Sequence, residues 1–98
     1  MNNKETNMKN LKRYVSNRVS CNKQRLANTT DAINDYLNRI EDCVEAIRTE
    51  KGHLVDNIKS ILELASRLRV LLELNLVYNT NLSVSTHIEK VLEALKWY

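Results

Sequence analysis

Few side chains in this sequence are of the types that act in catalysis or bind metal ions. Those that are present do not have the spacing that such sites require. The two histidines, His53 and His87, lie far apart and have no ligand-spaced companions. A metal site on helices needs ligands three or four residues apart on an inward face. The two cysteines, Cys21 and Cys43, form no Cys-x-x-Cys pair, so no zinc site is indicated. The sequence therefore predicts no bound metal and no cofactor.

Two pairs of glutamates have the i, i+4 spacing that carboxylate chemistry on a helix would need: Glu41 with Glu45, and Glu89 with Glu93. Both pairs fall off the apolar positions of their segments, which is typical of a solvated face. A single glycine leaves no phosphate-binding loop and no nucleophile elbow. We therefore expect no catalytic residues, no small-molecule substrate and no enzymatic activity.

The dominant pattern is an apolar stripe at heptad spacing between Leu26 and Leu72. Such spacing is typical of a helix that presents one narrow apolar stripe to a partner helix. The chain also has no proline. The sequence thus predicts an all-α fold, with a long amphipathic helix in a coiled coil or helical bundle. The first series of the stripe is Leu26, Ile33, Ile40, Ile47, Leu54, Ile61 and Leu68, and the second is Leu37, Val44, Ile58, Ala65 and Leu72.

Gly52 leaves two interpretations open for the middle of the chain. A glycine after basic residues is the usual signature of a helix C-terminus, so the chain could turn here into an antiparallel hairpin. The spacing of seven, however, passes from Ile47 to Leu54 without a slip. We therefore favour one continuous helix over residues 26–78, in which Gly52 costs only about 1 kcal/mol relative to alanine.

The C-terminal part of the chain is predicted to fold back. Residues 79–85 lose the helical period and are interpreted as a connection. Thr86 and Glu89 have the spacing of a capping box, so we expect a short closing helix over residues 86–98. Its last residues, Trp97 and Tyr98, would close the bundle or contact a partner.

The N-terminal part, residues 1–25, is a basic arm. It carries seven basic side chains and one acidic side chain, a formal charge of +6, while residues 26–98 carry −3. Residues 11–25 have the spacing of a short amphipathic helix, and Thr29 or Thr30 could cap the helix that follows. A basic arm on an acidic body suggests a polyanionic or acidic partner. The candidate polyanion-binding residues are Lys9, Lys12, Arg13, Arg18, Lys23 and Arg25.

We expect an intracellular location, because no apolar run resembles a secretory segment or a membrane span and no disulfide framework is indicated. A chain of 98 residues forms one domain at most, and a partner subunit would help to stabilise it.

The function that the sequence favours is structural: an oligomeric coiled-coil or helical-bundle subunit that assembles with itself or with other helical subunits. One alternative is a small nucleic-acid-binding accessory protein that uses the basic arm. Another is a small regulator of a larger enzyme. The residues predicted to contact a partner are Ile33, Leu37, Ile40, Val44, Ile47, Leu54, Ile58, Ile61, Leu68 and Leu72.

Overall fold

A computed structural model describes residues 3–95 and places them in two α-helices joined by a five-residue turn. Helix α1 spans Asn3–Arg48 and helix α2 spans Leu54–Leu95. The described residues contain no strand. The all-α prediction is therefore confirmed, and Trp97 and Tyr98 lie outside the described residues.

The turn between the helices is held by backbone hydrogen bonds and by one side chain. The backbone N–H of Lys51 donates to the carbonyl of Ala46 at 2.8 Å, and Glu50 takes a left-handed conformation with φ of 57°. These two features are typical of a Schellman helix end. Gly52 follows with φ of 72°, and the side-chain amide of Asn57 donates to the Lys51 carbonyl at 3.1 Å. The chain therefore reverses at residues 49–53.

The preferred prediction of one continuous helix through Gly52 is wrong. Ile47 and Leu54 are seven residues apart, but the interval between them contains the turn rather than two helical turns. Leu54 is the first residue of α2 and is exposed. The interval of seven between Ile47 and Leu54 thus results from the length of the turn and not from a continuous helix. The alternative prediction, an antiparallel hairpin, is correct.

The described residues fall into two compact units, each of which pairs part of α1 with part of α2. Unit 1 comprises residues 3–26 and 76–95, and unit 2 comprises residues 27–75. Within each unit, buried and half-buried residues recur along the helices at alternating intervals of three and four, which is the spacing of a coiled-coil seam. In unit 1 this seam contains Val15, Val19, Asn22 and Leu26 from α1, and Tyr78, Leu82, Ser85, Glu89 and Leu92 from α2.

The seam of unit 2 follows the same spacing. Its members are half-buried, apart from Thr29, which is buried. The seam is therefore covered from one side only, as two paired helices without a third would leave it. It contains Thr29, Ile33, Tyr36, Ile40, Cys43 and Ile47 from α1, and Asn57, Ile61, Leu64, Leu68, Leu71 and Asn75 from α2.

Three predicted local features differ from the structure. Thr29 and Thr30 do not cap a helix, because α1 runs through them. Residues 79–85 are helical, and Thr86 lies inside α2 rather than at its start. The closing segment up to Leu95 therefore continues α2, and no separate helix folds back within the described residues.

Candidate protein-interaction surfaces

Unit 1 exposes a row of apolar side chains beside its seam. On α2, these residues up to Val91 each precede a seam residue by one position, and Leu95 follows Val91 by four residues, so they keep three-four spacing on an adjacent face of the helix. Tyr14 of α1 borders the same groove as Val84 and Ile88 of α2. We call this row the unit 1 face; its members are Leu11, Tyr14, Val77, Val84, Ile88, Val91 and Leu95, all exposed.

The groove in the unit 1 face has a packed floor. Val15 beneath it is only 5% exposed, and Asn22 is 1% exposed. The Asn22 Oδ1 atom is buried and accepts no hydrogen bond from the described residues. Ser85, also on the floor, is satisfied within its own helix, because its hydroxyl donates to the Asn81 carbonyl at 2.7 Å. Packing of the two helices thus forms the floor of the groove. One polar atom of this floor, Asn22 Oδ1, has no hydrogen-bond partner among the described residues.

Unit 2 exposes a second apolar row on its helices. Here the residues each follow a seam residue by one position, as Leu37 follows Tyr36 and Val44 follows Cys43. Leu37 is 42% exposed and Val44 is 51% exposed, and the exposed Glu41 lies between them at the same helical spacing. We call this row the unit 2 face; its members are Leu37, Val44, Ile58, Leu62 and Leu72.

The structure divides the predicted partner-contact residues into two groups. Five of them are half-buried in the seam of unit 2 and so contribute to pairing α1 with α2: Ile33, Ile40, Ile47, Ile61 and Leu68. The other five are exposed: Leu37, Val44, Leu54, Ile58 and Leu72. Four of these exposed residues belong to the unit 2 face, and their role in partner binding stays a prediction.

The six candidate polyanion-binding residues all lie on α1 within unit 1, but their surroundings differ. Lys9, Arg13 and Lys23 are exposed. Lys12 is half-buried and borders a groove with Glu89 and Glu93.

The two remaining arginines of this set contact aromatic or apolar surface. The guanidinium of Arg25 lies 5.7 Å from the centre of the Tyr78 ring, which is within cation–π range. Arg18 is half-buried and borders the same groove as Tyr14. The short amphipathic helix predicted over residues 11–25 is the N-terminal part of α1, and its Val15 and Val19 are buried.

The residues singled out for chemistry are not brought together. No group of three or more His, Cys, Asp or Glu side chains among residues 3–95 could hold a metal ion. Glu45 instead pairs with Arg48, whose Nε donates to Oε2 at 3.0 Å. This hydrogen bond lowers the pKa of the Glu45 carboxyl below its ordinary value and raises that of Arg48. The pair completes the last turn of α1, where a cation complements the helix dipole.

Sequence reasoning missed the polar residues of the seam. Asn75 donates from its side-chain amide to Thr29 Oγ1 at 2.9 Å and to Thr30 Oγ1 at 3.2 Å. Asn22 and Asn75 occupy seam positions where an apolar residue would ordinarily be expected. Their only sequence signal is the three-four spacing from apolar neighbours, such as Leu26 after Asn22 and Leu71 before Asn75.

The fold and these surfaces define the chain as an α-helical hairpin with heptad-spaced pairing. Comparison with protein-family models, curated proteins and solved structures found no match to any of them. Neither helix, over the residues described, has an apolar stretch long enough to cross a membrane.

Proposed function

We propose that this protein is a structural subunit whose helical hairpin assembles with further helices, either of other copies or of other subunits. The observation that carries the proposal is the imbalance between buried and exposed apolar side chains. Among the described residues, three apolar side chains are buried, Val15, Val19 and Leu92, whereas seventeen large apolar side chains are exposed. Contiguous exposed apolar surface of this kind marks interaction sites.

The arrangement of the exposed side chains supports helical partners in particular. Scattered apolar residues are normal on any protein surface, but the unit 1 face repeats the three-four spacing along α2. That spacing matches the packing of one helix against another. A helix that is apolar on more than one face needs cover on more than one side. We therefore infer that a third helix, or a second hairpin, covers these faces in the assembled state.

The test compares face variants with matched seam variants. Val84→Gln with Ile88→Gln changes only the unit 1 face, and Leu37→Gln with Val44→Gln changes only the unit 2 face. The matched control, Ile33→Gln with Ile40→Gln, places the same residue type in the seam. Molecular mass is measured by light scattering on a sizing column, and helix content is measured by circular dichroism.

We expect the face variants to keep their helix content and to lose assembled mass, because the seam that pairs α1 with α2 is untouched. We expect the seam control to lose helix content. Face variants that keep the mass of the wild-type protein would contradict the proposal.

A second candidate function is binding of a polyanion such as nucleic acid, and it rests on the exposed positions of Lys9, Arg13 and Lys23. Their triple replacement by Gln removes three charges without touching the seam, unlike deletion of residues 1–25, which would remove Val15 and Val19. If these residues contact phosphates, the slope of log affinity against log salt should fall by about 0.9 for each lost contact. An unchanged slope would exclude this use of the basic face.

A further inference from the structure

We propose that the partner of the unit 1 face is the unit 2 face of a second copy of this chain. This inference rests on the proposed function and names the occupant of the surface. The contact joins two different surfaces, so it is heterologous, and each copy can take part in it once through each of its two faces.

The first argument is the charge of the two units. The sequence segments that form unit 1 contain nine basic and three acidic side chains, a formal charge of +6, and the segment that forms unit 2 contains six basic and nine acidic side chains, a formal charge of −3. Pairing of unit 1 with unit 1, or of unit 2 with unit 2, would bring like charges together. Pairing of unit 1 with unit 2 brings opposite charges together, and such complementarity selects the partner and its orientation.

The second argument is the placement of individual charges within the apolar rows. On α1 in unit 1, Arg18 lies four residues after Tyr14 and borders the apolar groove. On α1 in unit 2, Glu41 lies between Leu37 and Val44, four residues after the first and three before the second. Arg48 and Arg69 also lie in the unit 2 row, but each is paired with a glutamate of its own helix. Arg18 and Glu41 have no ion pair among the described residues, so an unpaired cation interrupts one row and an unpaired anion interrupts the other. If either row packed against a neutral apolar partner, its charged side chain would be buried without an opposite charge, and the cost of desolvation would be high.

The third argument is the match of helical spacing between the two rows. The unit 1 face on α2 repeats at intervals of three and four, as in Val84, Ile88 and Val91. The unit 2 face on α1 has intervals of four and three through Leu37, Glu41 and Val44. Two rows with this common period can interdigitate along their length. A second copy thus supplies both the spacing and the charge that the unit 1 face requires.

The experiment exchanges the two charges. Arg18→Glu alone and Glu41→Arg alone would each place like charges in the contact between copies. The double variant, Arg18→Glu with Glu41→Arg, would restore opposite charges there. A mixture of the two single variants would also restore opposite charges, but only between unlike chains. Matched controls are Lys23→Glu and Asp42→Arg, which make the same changes in net charge at exposed positions off the two faces.

Dissociation constants are measured by sedimentation equilibrium on the full chain, and circular dichroism checks that each variant is folded. We expect the wild-type protein to self-associate, each single variant to associate at least roughly tenfold more weakly, and association to recover in the double variant and in the mixture. The control variants should associate as the wild type does.

Different failures would overturn different statements. A wild-type oligomer that the single variants do not weaken would overturn the pairing of unit 1 with unit 2 and leave the assembly function standing. Equal weakening by the control variants would overturn the pairing too, because only net charge would then matter. A wild-type monomer would overturn both this pairing and self-assembly as the protein's function.

Discussion

Asn75 on α2 and Thr29 on α1 are 46 residues apart in sequence, and the Asn75 side-chain amide donates a hydrogen bond of 2.9 Å to the Thr29 hydroxyl. The same amide also donates to Thr30 at 3.2 Å. A slip of one heptad between the helices would separate these groups and break both hydrogen bonds. The contact therefore fixes the register of the hairpin, as single polar residues do in coiled-coil seams.

Replacement of Asn75 by alanine should lower the free energy of unfolding by about 1 kcal/mol, because it removes a partly buried hydrogen bond between the helices. Denaturant unfolding, with all variants at one protein concentration, measures this change. The matched control is Asn79→Ala, four residues later at an exposed position on α2, which should change stability little. Equal effects of the two substitutions would contradict a specific role for Asn75.

Gly52 distinguishes the hairpin from a continuous helix by the sign of one substitution. An added Cβ would meet only Asn57 Nδ2 at 3.7 Å, an ordinary contact, but the φ of 72° is strained for alanine. Gly52→Ala should therefore destabilise the protein by about 1 kcal/mol. In a continuous helix the same change would stabilise it by a similar amount, about 1 kcal/mol. Lys51→Ala, in the same turn, is the control for loss of exposed side-chain contacts.

The sequence was sufficient to predict the all-α class and half of the seam, but not the bounds of the two helices. Ile33, Ile40 and Ile47 are β-branched residues at intervals of seven, a repeat that is typical of a coiled-coil seam. They lie in the seam as expected. The choice of the second series failed, because Leu37 and Val44 are apolar while the true seam residues between the isoleucines are Tyr36 and Cys43. In each adjacent pair, the prediction chose the aliphatic residue, Leu37 or Val44, whereas the seam contains the residue before it.

The turn at residues 49–53 was not the preferred prediction, because two of its residues are not ones that usually end or begin a helix. Glu50 adopts a left-handed conformation that glycine or asparagine ordinarily supplies. The residue after the glycine, His53, is a poor helix cap. The two exposed apolar faces were not predicted for a different reason. Periodicity shows that a stripe of apolar residues exists, but it does not show whether that stripe packs on the other helix of the same chain or on a partner.

Asn22 should be a source of instability within the seam of unit 1. Its Oδ1 atom is buried and has no hydrogen-bond partner among the described residues, and such an atom typically costs 1–3 kcal/mol, of which a substitution would recover about 1 kcal/mol. We expect Asn22→Val to raise the melting temperature. Asn17→Val, at an exposed position of the same helix, is the control for a change in helix propensity. A lower melting temperature for Asn22→Val would mean that the amide makes a stabilising contact.

The Glu45–Arg48 pair predicts a small dependence of stability on pH. The folded protein lowers the pKa of Glu45, so the ionised carboxylate contributes stability at pH values above its ordinary value of 4.5. This contribution is lost as the pH falls below that value. Glu45→Gln should therefore destabilise the protein at neutral pH and become neutral in acid. A difference between the two proteins that does not change with pH would contradict this account.

The most direct test of the central claim is the molecular mass of the wild-type protein in solution across a range of concentrations. If the unit 1 and unit 2 faces assemble the chain with itself, the mass at high concentration should rise to at least twice the protomer mass of 11.4 kDa, with full helix content. A folded protein that stays at the protomer mass throughout that range would contradict self-assembly through these faces.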